Sequence, residues 1–164
     1  LSEPELRGVV KSIVDGLCYL RKKLVIHRDM NPSNILIGED WRVKIADFGH
    51  AVRVVSETST VTYRCATSEL GYLSPELAAH RPHGFPTDIW SLGAVVITCM
   101  RGDHAFGASS PEEINKKIAR ADYSVPSFVS RELRNLISSL LKVIPRERIS
   151  LHGISSHPFM NSSL

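Results

Sequence analysis

The chain has 164 residues, 43% of them hydrophobic, enough to bury a sizeable core and to exclude an intrinsically disordered chain. Lys+Arg 20 against Asp+Glu 17 gives a net charge of +3, which makes no case for a nucleic-acid partner; that would need a basic stripe. Cys18, Cys65 and Cys99 lie far apart with no Cys-x-x-Cys pair, which argues against a disulfide framework or structural zinc and for a reducing compartment.

No internal repeat, low-complexity tract or linker divides the chain, so one domain over 1–164 is expected. It opens on Leu1 rather than Met and carries no basic-then-apolar targeting segment, so it need not be a whole gene product. Ser2 and Glu5 form a capping box, and Leu6, Val9, Val10, Ile13, Val14, Leu17 and Leu20 then recur at helical spacing, which predicts a helix over 2–22. Ile35-Leu36-Ile37 and Val43-Lys44-Ile45 flank Gly38-Glu39-Asp40 and predict a small hairpin. From Asp47 to about Ser74 helical periodicity is absent, and a long functional loop is expected. Beyond it come three helices: one over 88–101 capped by Thr87, one begun by Ser110-Pro111-Glu112-Glu113, and one capped by Ser130. The apolar run from Ile89 to Met100 is too short to span a bilayer and reads as a buried helix, so no membrane partner is expected. The fold class is mainly α with one small β-hairpin.

The chemistry concentrates in His27-Arg28-Asp29-Met30-Asn31-Pro32-Ser33-Asn34, followed after the hairpin by Asp47-Phe48-Gly49. Phosphoryl transfer needs one carboxylate to receive a hydroxyl proton, together with oxygen ligands for the Mg²⁺ that sits on the phosphates. Any one of these triplets could arise by chance; their joint order, with Ser74-Pro75-Glu76 downstream, is specific.

On these motifs the chain resembles the C-terminal lobe of the eukaryotic protein kinases, over nearly its whole length. The resemblance implies a catalytic loop at 27–34, an activation segment at 47–76 and a helical subdomain at 77–160. It implies ATP and Mg²⁺, with Asp29 as catalytic base, Asn34 and Asp47 as metal and nucleotide ligands, and Leu36 as the apolar floor beneath adenine. His27 and Phe48 would stack on an anchor at Asp88, within Asp88-Ile89-Trp90-Ser91-Leu92-Gly93; Gly49 would supply backbone freedom for the turn after Asp47. Glu76 would pair with Arg148. Arg28, helped by Arg53, would grip a phosphate on Thr58, Thr60, Thr62 or Tyr63, because a guanidinium fork suits a phosphate dianion; the alternative is an Arg that only packs. Ala121-Asp122-Tyr123-Ser124-Val125-Pro126-Ser127-Phe128 and His157-Pro158-Phe159-Met160 are similar to the polo-like kinases, in particular the centriole-duplicating branch. That implies a protein substrate with a Ser or Thr acceptor and a cytoplasmic protein, with placement at the centriole by resemblance alone.

The chain departs from the pattern at three places. Asn31 stands at a catalytic position where most kinases carry Lys, a loss of about 10²–10³ in rate if nothing compensates, but the centriole-duplicating branch that the chain resembles also lacks this Lys, so the departure is discounted. The segment Cys65–Ser74 looks two residues longer than the family's substrate loop, with Ala66 for the usual Gly and Thr67 displaced from the Pro-Glu pair, so a misplaced acceptor loop is expected at a cost of about 10²-fold. His50 replaces an apolar residue. A Gly-x-Gly-x-x-Gly loop and a Val-Ala-x-Lys strand do not occur in these 164 residues, so the upper lobe that roofs ATP is a missing partner. Two functions follow: the catalytic lobe of a protein serine/threonine kinase, a partial domain weakly active or inactive as this chain; or an impaired kinase acting as an interaction module. His80, His83, His152 and His157 read as exposed loop histidines rather than metal ligands. Cys65 reads as inert, and Lys116-Lys117, Arg120 and Arg21-Lys22-Lys23 as solvated faces.

Overall fold

The computed structural model of the chain describes residues 1–40, 42–62, 67 and 69–161. Helix α1, Glu3–Lys22, begins at the expected capping box: the Ser2 amide donates to Glu5 Oε2 at 2.7 Å and the Glu5 amide to Ser2 Oγ at 3.4 Å. Its stripe Leu6, Val10, Ile13, Val14, Leu17 and Leu20 is buried. The hairpin forms in the expected register, β2 (Ile35–Ile37) antiparallel to β3 (Val43–Ile45), and β3 packs on α1.

A second two-stranded sheet was not expected. Strand β1, Val25–Ile26, pairs antiparallel with β4, Val52–Arg53, so the 47–74 segment is tied to the lobe near its start. Two-residue strands carry no period to read, and only tertiary placement reveals them. A lone bridge between Val61 and His83 ties the segment again further along.

Helix α2, Pro75–Ala78, leads to α3, Pro86–Arg101, whose residues from Thr87 to Ile97 are all buried. A helix apolar on all sides belongs inside a core, and α3 lies between α1 and α5 (Arg131–Leu140). Thr87 does not cap it. The helix starts at Pro86, two residues before the expected start, and the Thr87 hydroxyl bonds Ser74 Oγ and donates to Glu76 Oε1. A buried hydroxyl takes the partner that satisfies it, here the adjoining α2 turn. Gly102, at φ 78°, ends α3 in the left-handed conformation that glycine adopts without steric cost.

Helix α4, Pro111–Arg120, and α5 start at Ser110 and Ser130 as expected, each hydroxyl accepting from the amide three residues on. Helices α6, Leu151–Ser155, and α7, Pro158–Asn161, close the lobe against α1 and α5. Two histidines expected at the surface are buried: His83, 2% exposed, and His157, whose Nε2 meets Asn135 Oδ1 at 2.9 Å. His80 and His152 are exposed. No helix is long and apolar enough to cross a membrane, and the described residues hold no cluster of three His, Cys, Asp or Glu that could bind a metal.

Candidate active site

The loop after β1 is hung from α3. Asp88, buried in the first turn of α3, accepts the His27 amide on Oδ2 and the Arg28 amide on Oδ1, both at 2.9 Å. Burial pushes the Asp88 carboxyl up, while those two amides favour its charged form. The His27 ring then spans the loop. Its Nε2 donates to the Ala46 carbonyl at 3.0 Å, which leaves Nδ1 bare to accept the Asp29 amide at 3.2 Å. Phe48 meets the same ring edge-on at 5.0 Å between centroids.

This framing aims the Asp29 carboxylate. Asn34 Nδ2 donates to Asp29 Oδ2 at 3.0 Å and to its carbonyl at 2.8 Å; Asn31 Nδ2 donates to Oδ1 at 3.2 Å. Thr67 Oγ1 also donates to Oδ1, at 2.9 Å. Thr67 itself is therefore not held away from Asp29, contrary to expectation; counting residues along a segment cannot say which partner a side chain will meet. Tyr63, Cys65 and Ala66, which the sequence reading also singled out, lie outside the described residues.

Asp47 is carried to the same place through the hairpin. The Ala46 amide donates to the Asn34 carbonyl at 2.8 Å, so the residue before Asp47 is fastened to the residue that holds Asp29. Asp47 itself sits at φ 58°, a left-handed conformation that costs a non-glycine residue strain and is commonest at functional sites. Gly49 does not provide the turn, since its φ is not positive. Its amide donates to Asp47 Oδ1 at 3.0 Å, and a Cβ at Gly49 would lie 3.1 Å from that oxygen. Close approach, not torsional freedom, is what glycine supplies there.

The donor set suits a hard cation. Asn34 spends its amide nitrogen on Asp29, leaving its amide oxygen without a partner among the described residues, and Asp47 keeps Oδ2 open in the same way. Two oxygens, to be completed by phosphate and water, are what Mg²⁺ takes. Leu36, on β2 beside this edge, is 52% exposed, with Ile37 and Phe48 each 49% exposed.

The remaining site residues are placed as follows. Arg148 forms a two-pronged pair with Glu76, Nη1 to Oε1 and Nη2 to Oε2, both at 2.7 Å, and also bonds the Lys142 and Pro86 carbonyls. Burial alone would push the Glu76 carboxyl up; Arg148 outweighs it and holds the group below the usual carboxylate range. Trp90 is fully buried, stacked on Phe106 at 5.4 Å with the Arg148 guanidinium over its ring at 5.2 Å. Arg28 is buried, with φ 68°; its Nε donates to the His50 carbonyl at 2.7 Å, and Nη1 lies 3.5 Å from His83 Nε2. His50 thus acts through its backbone. Arg53, Thr58, Thr60 and Thr62 are exposed on or after β4 and are not brought against Arg28 by any described contact. Thr67 and His83 are the residues that the sequence misplaced: Thr67, expected to be displaced, meets Asp29, and His83, expected at the surface, is buried.

A carboxylate braced by two amides and a hydroxyl, beside two open oxygens and an apolar edge, is an arrangement for moving a phosphoryl group. The protein kinase domain family matches residues 1–160, and the chain belongs to that family. It is similar to the serine/threonine-protein kinase PLK4 of Drosophila virilis, 38% identical over 159 residues that cover 97% of this chain and 20% of the relative. The PLK4 kinases of Nematostella vectensis and Aedes aegypti are 39% and 37% identical over 162 residues, covering 99% of this chain and 16% and 21% of those proteins. The chain spans about a fifth of the length of the curated relatives it matches.

Proposed function

We propose that the chain is the lower, catalytic lobe of a protein serine/threonine kinase that transfers the ATP γ-phosphate to a protein hydroxyl. The observation that carries this is the bracing of Asp29 by Asn31, Asn34 and Thr67, while Asn34 also fastens the strand that delivers Asp47. Asp29 Oδ2 or Oδ1 receives the proton of the acceptor hydroxyl; a positioned base contributes about 10²–10⁴-fold. The neutral amides keep the carboxylate oriented without adding a like charge. Asn34 and Asp47 would hold Mg²⁺, which supplies positive charge to the phosphates. Leu36, half-exposed with Ile37 and Phe48, would offer adenine an apolar surface to cover. The bond from Thr67 to Asp29 removes one of the grounds for reading the chain as an interaction module only. Three cysteines far apart in the sequence, with no Cys-x-x-Cys pair, support a reducing compartment, the cytoplasm, for the protein.

Titration with MgATP, followed by amide chemical shifts, tests this. Saturable shifts at Asn34, Leu36 and Asp47 are expected at millimolar nucleotide, with the Mg²⁺ dependence lost in Asp47→Ala. Shifts that avoid these three residues would overturn the assignment.

A further inference from the structure

His83 joins three parts of the lobe and is used by none of the chemistry above. Its main chain exchanges two hydrogen bonds with Val61 of the activation segment, at 2.9 and 3.0 Å. Its ring is shut away from solvent, with Nδ1 at 2.9 Å from the Arg81 carbonyl and Nε2 at 3.5 Å from Arg28 Nη1. A carbonyl only accepts, so Nδ1 carries the proton and Nε2 presents a lone pair to the guanidinium. The neutral ring is therefore the form that fits Arg28. Arg28 in turn donates to the His50 carbonyl, three residues past Asp47, so His83 touches the group that spans the catalytic loop and the end of the metal-binding turn.

We propose that His83 is a positioning residue: uncharged, it holds Arg28 and keeps the Val61 stretch of the activation segment docked, and gaining a proton releases that stretch. A charged imidazole places an N–H against the guanidinium N–H and a second positive charge beside the first. The groups facing it from the packed elements are Arg28 on the catalytic loop, Glu76 on α2 and Asp88 on α3, with the Arg81 carbonyl alongside. The two carboxylates would favour the charged ring, but Glu76 is engaged by Arg148 and Asp88 by the His27 and Arg28 amides. Burial first, and then the Arg28 charge, hold the His83 imidazole below its ordinary value. The docked form is thus fully favoured above the unfolded-state value and is lost as pH falls through the lower folded one.

The latch rests on the placement of His83, Arg28 and Val61 and not on the kinase reading. Amide hydrogen exchange of the whole chain, corrected for intrinsic rates, is measured at Val61 and His83 between about pH 8 and pH 5. Protection is expected to be flat at neutral pH and to fall about tenfold or more towards the acid end, while amides of α3 keep theirs. His83→Gln cannot gain the charge but keeps an acceptor, so its protection should not vary with pH. Wild-type protection that is constant over that range, or an acid loss that persists in His83→Gln, would overturn the proposal. Should His83→Gln not fold, the wild-type profile and the ¹⁵N shifts of the His83 ring decide alone: a proton on Nε2 rather than Nδ1 at neutral pH refutes it. None of these readouts needs turnover, so a working latch in a chain that fails the MgATP titration separates the two ideas.

Discussion

Asp29 shows how much one side chain depends on its neighbours. Among the described residues three donors meet its two oxygens, and of these Thr67 alone comes from outside the 27–34 loop. The Thr67 hydroxyl also accepts the Glu69 amide at 3.1 Å, so it pins the segment at two points. A hydrogen bond to a charged group contributes about 1.5–3 kcal/mol. Thr67→Val should therefore speed exchange of the Glu69 amide by about tenfold or more, whereas Thr67→Ser should leave it near wild type. Equal protection in Thr67→Val would show that the contact holds nothing. The same scale explains what the sequence could show: Asp29, Asn34 and Asp47 were legible because their order and spacing are specific. Thr67 was misread because its partner is 38 residues away.

Among the elements, the approach of α3 to the end of α5 sets the tightest limit. A Cβ at Gly93 would lie 2.8 Å from Leu141 Cγ and Cδ2 and 3.0 Å from Leu140 Cβ; the Leu140 Cβ cannot move aside without the backbone of the helix end. At Gly16 on α1 the nearest atom is Ile45 Cδ1, also 2.8 Å away but at the tip of a side chain that can turn aside. Alanine gains about 1 kcal/mol over glycine in a helix, while overpacking a core costs about 1–3 kcal/mol. Thermal melts should then show Gly93→Ala lowered and Gly16→Ala unchanged or raised; the reverse order would contradict this packing. The buried pair of Glu76 and Arg148 belongs to the same scale. It joins α2 to the turn before α6, and removal of either partner leaves a lone charge at about 3–5 kcal/mol.

At the scale of the whole molecule, the lobe sets the open oxygens of Asn34 and Asp47 along one edge, with Leu36, Ile37 and Phe48 half-exposed. Nucleotide held from one side only buries little of its surface. Calorimetry of the 164-residue polypeptide should give a Kd for MgATP in the millimolar range or weaker. Micromolar binding would mean that this edge closes over nucleotide by itself. Apolar side chains exposed in a row also favour association.

Helices α1, α3, α4 and α5 and the hairpin were determined by the sequence itself, because caps, stripes and turn residues act between neighbours a few positions apart. Ser2 with Glu5, Ser110 and Ser130 each met the amide that their spacing implied. Tertiary structure alone decided the pairing of β1 with β4, the diversion of Thr87 from capping to the α2 turn, and the burial of His83 and His157. In each case the deciding partner is remote in the chain: a polar group withdrawn from water bonds whatever the fold brings within about 3 Å, and local sequence does not encode what that will be.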